Sequence, residues 1–233
     1  MPYILSPLIK ENMTPLWFEG SPYEKENIYK IADNKMPPIN YDKHILKPHS
    51  LTHAESEKHI CLNGKSIDQY FSSDSFFGKC HVIKLRGNNY KKIDSNIYHW
   101  EITENELLEE IKNIPHLSKI IISTEFYPKN IDGFHDPNYV LTLSSSAANY
   151  LASLPDFNLY GTSWKSSDYM PGKKERPIHK TLFTKAIILE CLDLENVPAG
   201  EYFLSAFPLR LENASESPLT PVLFTKHEIS NIF

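Results

Sequence analysis

The period of apolar and polar positions changes several times along the chain. Residues 80–86 (CHVIKLR), 118–123, 158–162 (NLYGT), 186–192 (AIILECL) and 201–211 (EYFLSAFPLRL) are short apolar runs, rich in β-branched and aromatic side chains, and predict strands. Residues 103–113 switch to helical spacing: Leu107, Leu108 and Ile111 share one side, acidic residues lead and Pro115 closes the segment. Residues 144–154 (SSSAANYLASL) predict a second helix, with serine at its start and Pro155 after it. Residues 1–48 show weak periodicity and much Pro, Tyr, Asn and Lys. They predict an irregular cover with one or two short strands. Pro208 inside the last run predicts an edge position or a bulge. Helices and strands alternate in the middle and strands dominate the end, which predicts a single mixed α/β domain over residues 1–233.

Composition narrows the function. A length of 233 residues lets one domain bury its own core. No run reaches the roughly 18 apolar residues of a membrane span, and no secretory signal opens the chain, so no membrane partner is expected. The net charge of -5 argues against nucleic acid, which asks for a basic face. Only Arg86, Arg176 and Arg210 are arginines, so phosphate-dense ligands are poorly served. Cys61, Cys80 and Cys191 form no CxxC and predict free thiols in a reducing, cytoplasmic compartment.

Histidine carries the candidate chemistry. Four of the ten histidines, His44, His49, His53 and His59, fall within one short segment, and Glu55 lies among them. Imidazole with carboxylate suits Zn²⁺, Mn²⁺ or Fe²⁺. In a helix His49 and His53 share a face but Glu55 points elsewhere; in a strand the two imidazoles lie about 13 Å apart at ~3.3 Å per residue. One ion can therefore take all three only if the chain bends, which predicts an irregular loop. The competing reading is a helix start, with Thr52 and Glu55 as a capping box and Glu55 paired to His59 on a wet surface. Farther on, His179 and Glu190 come together if Thr184-Lys185 turns a hairpin, or if 177–184 is a short helix leading into the next strand; Pro177 favours the helix. Glu190 in an apolar strand needs a partner unless it faces water. Gly64-Lys65-Ser66 lacks the upstream glycine of a phosphate loop, and no G-x-S-x-G is present.

Residues 49–59 resemble the motif H-x-G-T-H-x-D-x-P-x-H of the metal-dependent cyclase family, which includes bacterial kynurenine formamidases and isatin hydrolases. His49, Thr52, His53 and His59 match it. Leu62 to Gln69, Phe76-Phe77-Gly78, Gly161-Thr162 through Ser166 and Asp168, His179 to Glu190, and Leu5-Ser6 with Thr14 to Trp17 are similar to further stretches of the family. The resemblance implies an α/β fold with a mixed sheet, a β-barrel-like core and flanking helices. It implies His49, His53, Glu55, His179 and Glu190 as ligands of one or two ions, zinc or else manganese. It further implies His59 as the proton-transfer residue, Trp17 beside a small aromatic amide substrate, and a homodimer or homotetramer. The activity implied is that of a kynurenine formamidase, releasing formate from N-formylkynurenine. The alternatives are an isatin-hydrolase-like or secondary-metabolite cyclase, and a non-catalytic binding protein on the same fold. Leu51 stands where the motif has glycine, and a bend there through positive φ would strain leucine. Glu55 replaces the motif aspartate, Glu57 its proline, and Ser163 an aspartate common in the later motif.

Overall fold

The computed structural model describes residues 1–33 and 38–230. In chain order the strands are β1 (Tyr3–Ile4), β2 (Tyr23–Tyr29), β3 (Tyr41–Leu46), β4 (His53–Glu55), β5 (Phe77–Leu85), β6 (Lys91–Lys92) and β7 (Tyr98–Ile102). They continue with β8 (Lys119–Thr124), β9 (Tyr139–Leu143), β10 (Leu159–Thr162), β11 (Ile187–Glu190), β12 (Gly200–Ser205), β13 (Glu216–Pro218) and β14 (Val222–Phe224). The helices are α1 (Glu104–Ile111), α2 (Ser145–Ser153), α3 (Pro177–Leu182) and α4 (Lys226–Ser230).

Nine strands form one curled, half-barrel sheet in the order β1-β14-β12-β5-β8-β10-β11-β4-β13. The central strands β5, β8, β10 and β11 run parallel, and the flanking pairs are antiparallel. The apolar runs explain the centre. On β8, Ile120 and Ile122 point into a core shared with α1, α2 and α3, while Ile121 points into a second core on the opposite face. A strand buried on both faces reads as a continuous apolar run, as this one does. Thr103 caps α1 by accepting from the backbone N–H of Glu106, and Ser144 caps α2 through Ala147.

Three expectations change. Segment 201–211 stops being strand at Ser205, so Pro208 lies beyond the pairing rather than inside it. Residues 1–48 contain a longer hairpin than expected, β2 with β3, exposed along nearly its whole length. A third sheet, β6-β7-β9, not among the expected strands, packs Trp100, Ile102, Leu141 and Leu143 against the helix-side core. Among the described residues no helix is long and apolar enough to cross a membrane.

Candidate metal centre

The segment 48–59 is more ordered than a loop. Pro48–Ser50 forms one turn of 3-10 helix, Leu51 and Thr52 extend, and His53–Glu55 pairs as β4 with both β11 and β13. The turn supplies the required bend. Leu51 has φ -126°, an extended value any residue adopts, so the glycine of the motif is dispensable here; its side chain is fully buried. Thr52 does not cap a helix. Its hydroxyl donates to the carbonyl of Cys191 at 2.7 Å, and Glu55 is buried rather than wet. A second 3-10 turn, Glu57–His59, carries His59. Gly64 packs against that turn so closely that a Cβ would lie 2.6 Å from the Glu57 carbonyl carbon, which explains the glycine without any phosphate role.

Strand register gathers the rest. His53 lies opposite Glu190, and Glu55 lies opposite both Ile188 and Glu216. Directly opposed residues share a face. The short helix expected over 177–184 is α3, and it delivers His179 to that same face. Glu190 is the last residue of β11, with 1% of its surface exposed, which excludes a wet face. The next residue, Cys191, turns the chain away at φ 59°.

Glu55 is the hub. Its Oε1 lies 3.2 Å from His49 Nδ1, 3.2 Å from His53 Nε2 and 3.5 Å from His59 Nε2. Its Oε2 lies 3.1 Å from His179 Nε2. Glu190 reaches His179 Nε2 at 3.5 Å and His53 Nε2 at 3.9 Å, and accepts from Ser167 Oγ at 2.7 Å. Two groups converge closely enough to hold a cation, His49–Glu55–His59 and His53–Glu55–Glu190. Trp17 stands apart from this cluster, on the wall of the cavity of about 220 Å³ that His49, His59 and His179 also line. His44 is elsewhere, on β3, against the Tyr23 hydroxyl.

The donor set fits a divalent ion. His53 Nδ1–H donates to the Leu51 carbonyl at 2.8 Å, and His179 Nδ1–H donates to Asp168 Oδ2 at 2.7 Å. Each bond occupies Nδ1 and turns Nε2 toward the two glutamates, where it donates to Glu55 while it holds a proton and can ligate an ion once it gives that proton up, the outer-shell arrangement of metal-binding histidines. Donors held ~2.0–2.1 Å from a tetrahedral ion stand roughly 3.3 Å apart, close to the 3.2–3.3 Å among His49 Nδ1, His53 Nε2 and Glu55 Oε1. Charge agrees. Burial alone would raise Glu55, but hydrogen bonds from His179, His49 and His53 hold it well below the usual carboxylate range. Burial and the neighbouring Glu55 push Glu190 up. The cluster is a buried concentration of negative charge that demands protons or a cation.

Three further members of the cluster were given no role by sequence reasoning. Asp168 accepts from His179 Nδ1–H and from the backbone N–H groups of Ile178 and His179. Ser167 holds Glu190. Glu216 faces the outer nitrogens of two histidines, 3.9 Å from His49 Nε2 and 3.8 Å from His59 Nδ1, and accepts from the Ser215 hydroxyl.

Known proteins share this architecture. No family model matches the chain. Kynurenine formamidase of Paracidovorax citrulli (strain AAC00-1) is 26% identical over 215 residues, covering 91% of each chain. Isatin hydrolase A from Labrenzia aggregata, solved with benzyl benzoate, superposes with a TM-score of 0.71 over 97% of this chain and 94% of its own, at 16% identity. A predicted metal-dependent hydrolase from Bacillus stearothermophilus superposes with a TM-score of 0.70 over 96% and 97%, at 22% identity. The resemblance to the metal-dependent cyclases is borne out. The fold expected from it, a mixed sheet curled into a half-barrel with flanking helices, is the fold observed.

Proposed function

We propose that this chain is a metal-dependent hydrolase of non-peptide C–N bonds, acting on an aryl formamide as a kynurenine formamidase does. The observation that carries the reading is the convergence of four imidazoles on buried Glu55, with buried Glu190 beside two of them, under a cavity that three of the imidazoles line. His49, His53, Glu55, His179 and Glu190 hold one or two ions, zinc or manganese. When bound, such an ion supplies Lewis acidity, polarising a carbonyl and making water a stronger acid.

The chain's own residues do the rest. Water adds its oxygen to the carbonyl carbon, the C–N bond breaks, and one proton of the water reaches the leaving nitrogen to give the amine, while the other is lost to solvent from the new carboxylic acid to give the carboxylate. His59 carries that proton in this reading, which is supported by its lining the cavity, its partial exposure and its Nε2 turned toward the cluster. Glu216 beside Nδ1 orients its ring. Trp17 lines the same cavity and stacks on the aryl group. The fold shared with isatin hydrolases favours one second reading, in which the amide is cyclic and the same residues open a ring.

His59→Ala should lower turnover of an N-formyl arylamine by about 10²–10⁴-fold with metal content unchanged. Loss of metal together with turnover would make His59 a ligand instead. No turnover of any aryl formamide or cyclic aryl amide by zinc- or manganese-loaded protein would overturn the hydrolase reading.

A further inference from the structure

Two cations, Lys165 and Arg176, line the cavity over the cluster. Lys165 Nζ donates to the Leu16 carbonyl at 2.6 Å and sits 4.0 Å from the centre of the Trp17 ring. Arg176 Nη1 donates to the Glu175 carbonyl at 3.2 Å. Among the described residues neither cation comes within ion-pair reach of a carboxylate. An ammonium has three N–H donors and a guanidinium five, so most of this donor capacity is free. Both side chains are only partly exposed, and a half-buried cation without a partner is costly.

Position gives these charges meaning. Lys165, Arg176 and Trp17 line the cavity over the histidine–glutamate floor, where Glu19 also lies and accepts from the Ser50 hydroxyl, and they line an adjoining cavity of about 370 Å³ as well. That second cavity is walled mainly by aromatic and apolar side chains, Ile97, Trp164, Tyr169 and Met170 among them, with Asn138 and the His179-bound Asp168 as its polar members besides the two cations. The two cations, shared by both cavities, thus stand between the histidine–glutamate floor and the mainly apolar cavity, a boundary called the neck below. One of only three arginines in an acidic chain stands at the neck.

Resting on the hydrolase reading above, we propose that the substrate is an anionic aryl amide whose carboxylate is gripped by Lys165 and Arg176. Its amide carbonyl lies at the floor and its ring in the mainly apolar cavity. A carboxylate accepts a forked pair of N–H bonds from arginine and a point contact from lysine, which selects it over a neutral group of the same shape.

The test compares kcat/KM for 2-formamidobenzoate and for formanilide, which differ by the carboxylate. The metal-loaded wild type should favour the acid tenfold or more. Arg176→Gln and Lys165→Met should each reduce that preference by roughly tenfold, the scale of one charged hydrogen bond, with Arg176→Lys restoring part of it. Equal rates in the wild type, or a preference that survives both substitutions, would overturn the proposal. Calorimetric binding of benzoate needs no turnover and separates the two readings. If neither amide is hydrolysed, weaker benzoate binding in Arg176→Gln by about tenfold still supports the anionic neck while the hydrolase reading falls. Unchanged benzoate binding in both variants removes the neck itself.

Discussion

His179 and His135 are both buried, yet they meet opposite electrical surroundings. Burial works to strip the charge from each. At His179 the hydrogen bonds to Asp168 and Glu55 outweigh it and push the imidazole up to about 10. At His135 nothing outweighs it. That ring donates from Nε2 to the Tyr139 carbonyl at 2.8 Å and accepts from the Ser163 hydroxyl at 2.7 Å, and burial pushes it down to about 3. The contrast shows what a low-dielectric interior does with imidazole. Left alone it stays neutral; surrounded by carboxylates it becomes part of a cluster that attracts positive charge. The carboxylates around Glu55 are therefore the built feature, and the histidines gain their role from them.

The first way to break this contrast is to remove the carboxylate behind His179. Asp168→Asn loses the charged acceptor of the Nδ1–H bond. Metal affinity should fall by roughly 10–100-fold, the usual cost of an outer-shell partner, measured by competition with a chromophoric chelator. An unchanged affinity would assign Asp168 to capping α3 alone.

Glu216 offers a gentler version. It stands 3.8–3.9 Å from the outer nitrogens of His49 and His59, farther than Asp168 stands from His179. Glu216→Gln should cost about tenfold or less in turnover, with little loss of metal. A metal loss as large as that of Asp168→Asn would make the two carboxylates equivalent.

The smallest effect lies at His135 and concerns stability. Its folded pKa of about 3 lies below the ordinary 6.5, so the unfolded chain binds the extra proton between those values. Stability should be fully present above about pH 6.5 and decline as pH falls toward 3, by at most ~1.4 kcal/mol per pH unit from this one group. Denaturant unfolding of His135→Gln between pH 4 and 7 should show a shallower decline than wild type. Parallel curves would show that His135 does not set the acid limb.

Much of this was legible before the fold was known. The parallel strands announce themselves because burial on both faces leaves apolar, β-branched runs such as Ile120–Ile122. The helices announce themselves through Thr103 and Ser144. His49, His53 and His59 were legible as a motif because the turn and strand that assemble them are local. Glu216 was not. It lies in a polar stretch with no period, and only the pairing of β13 with β4 brings it across to Glu55. Asp168 was legible as a matching residue but not as the partner of His179, since their meeting depends on where α3 begins. Leu51 misled for a related reason. A glycine in a motif suggests positive φ, whereas here the bend is made by the 3-10 turn before it. The hairpin β2–β3 was faint because a hairpin with no buried face has no alternation to display.

The account stands on Glu55 as the hub of a metal centre. The most direct test is metal per chain, by plasma mass spectrometry, on wild type and Glu55→Ala purified without a tag or chelator. One or two zinc or manganese ions in the wild type, absent from the variant while its circular dichroism stays native, is the predicted result. A natively folded wild type that holds no ion after both metals are offered would contradict the account.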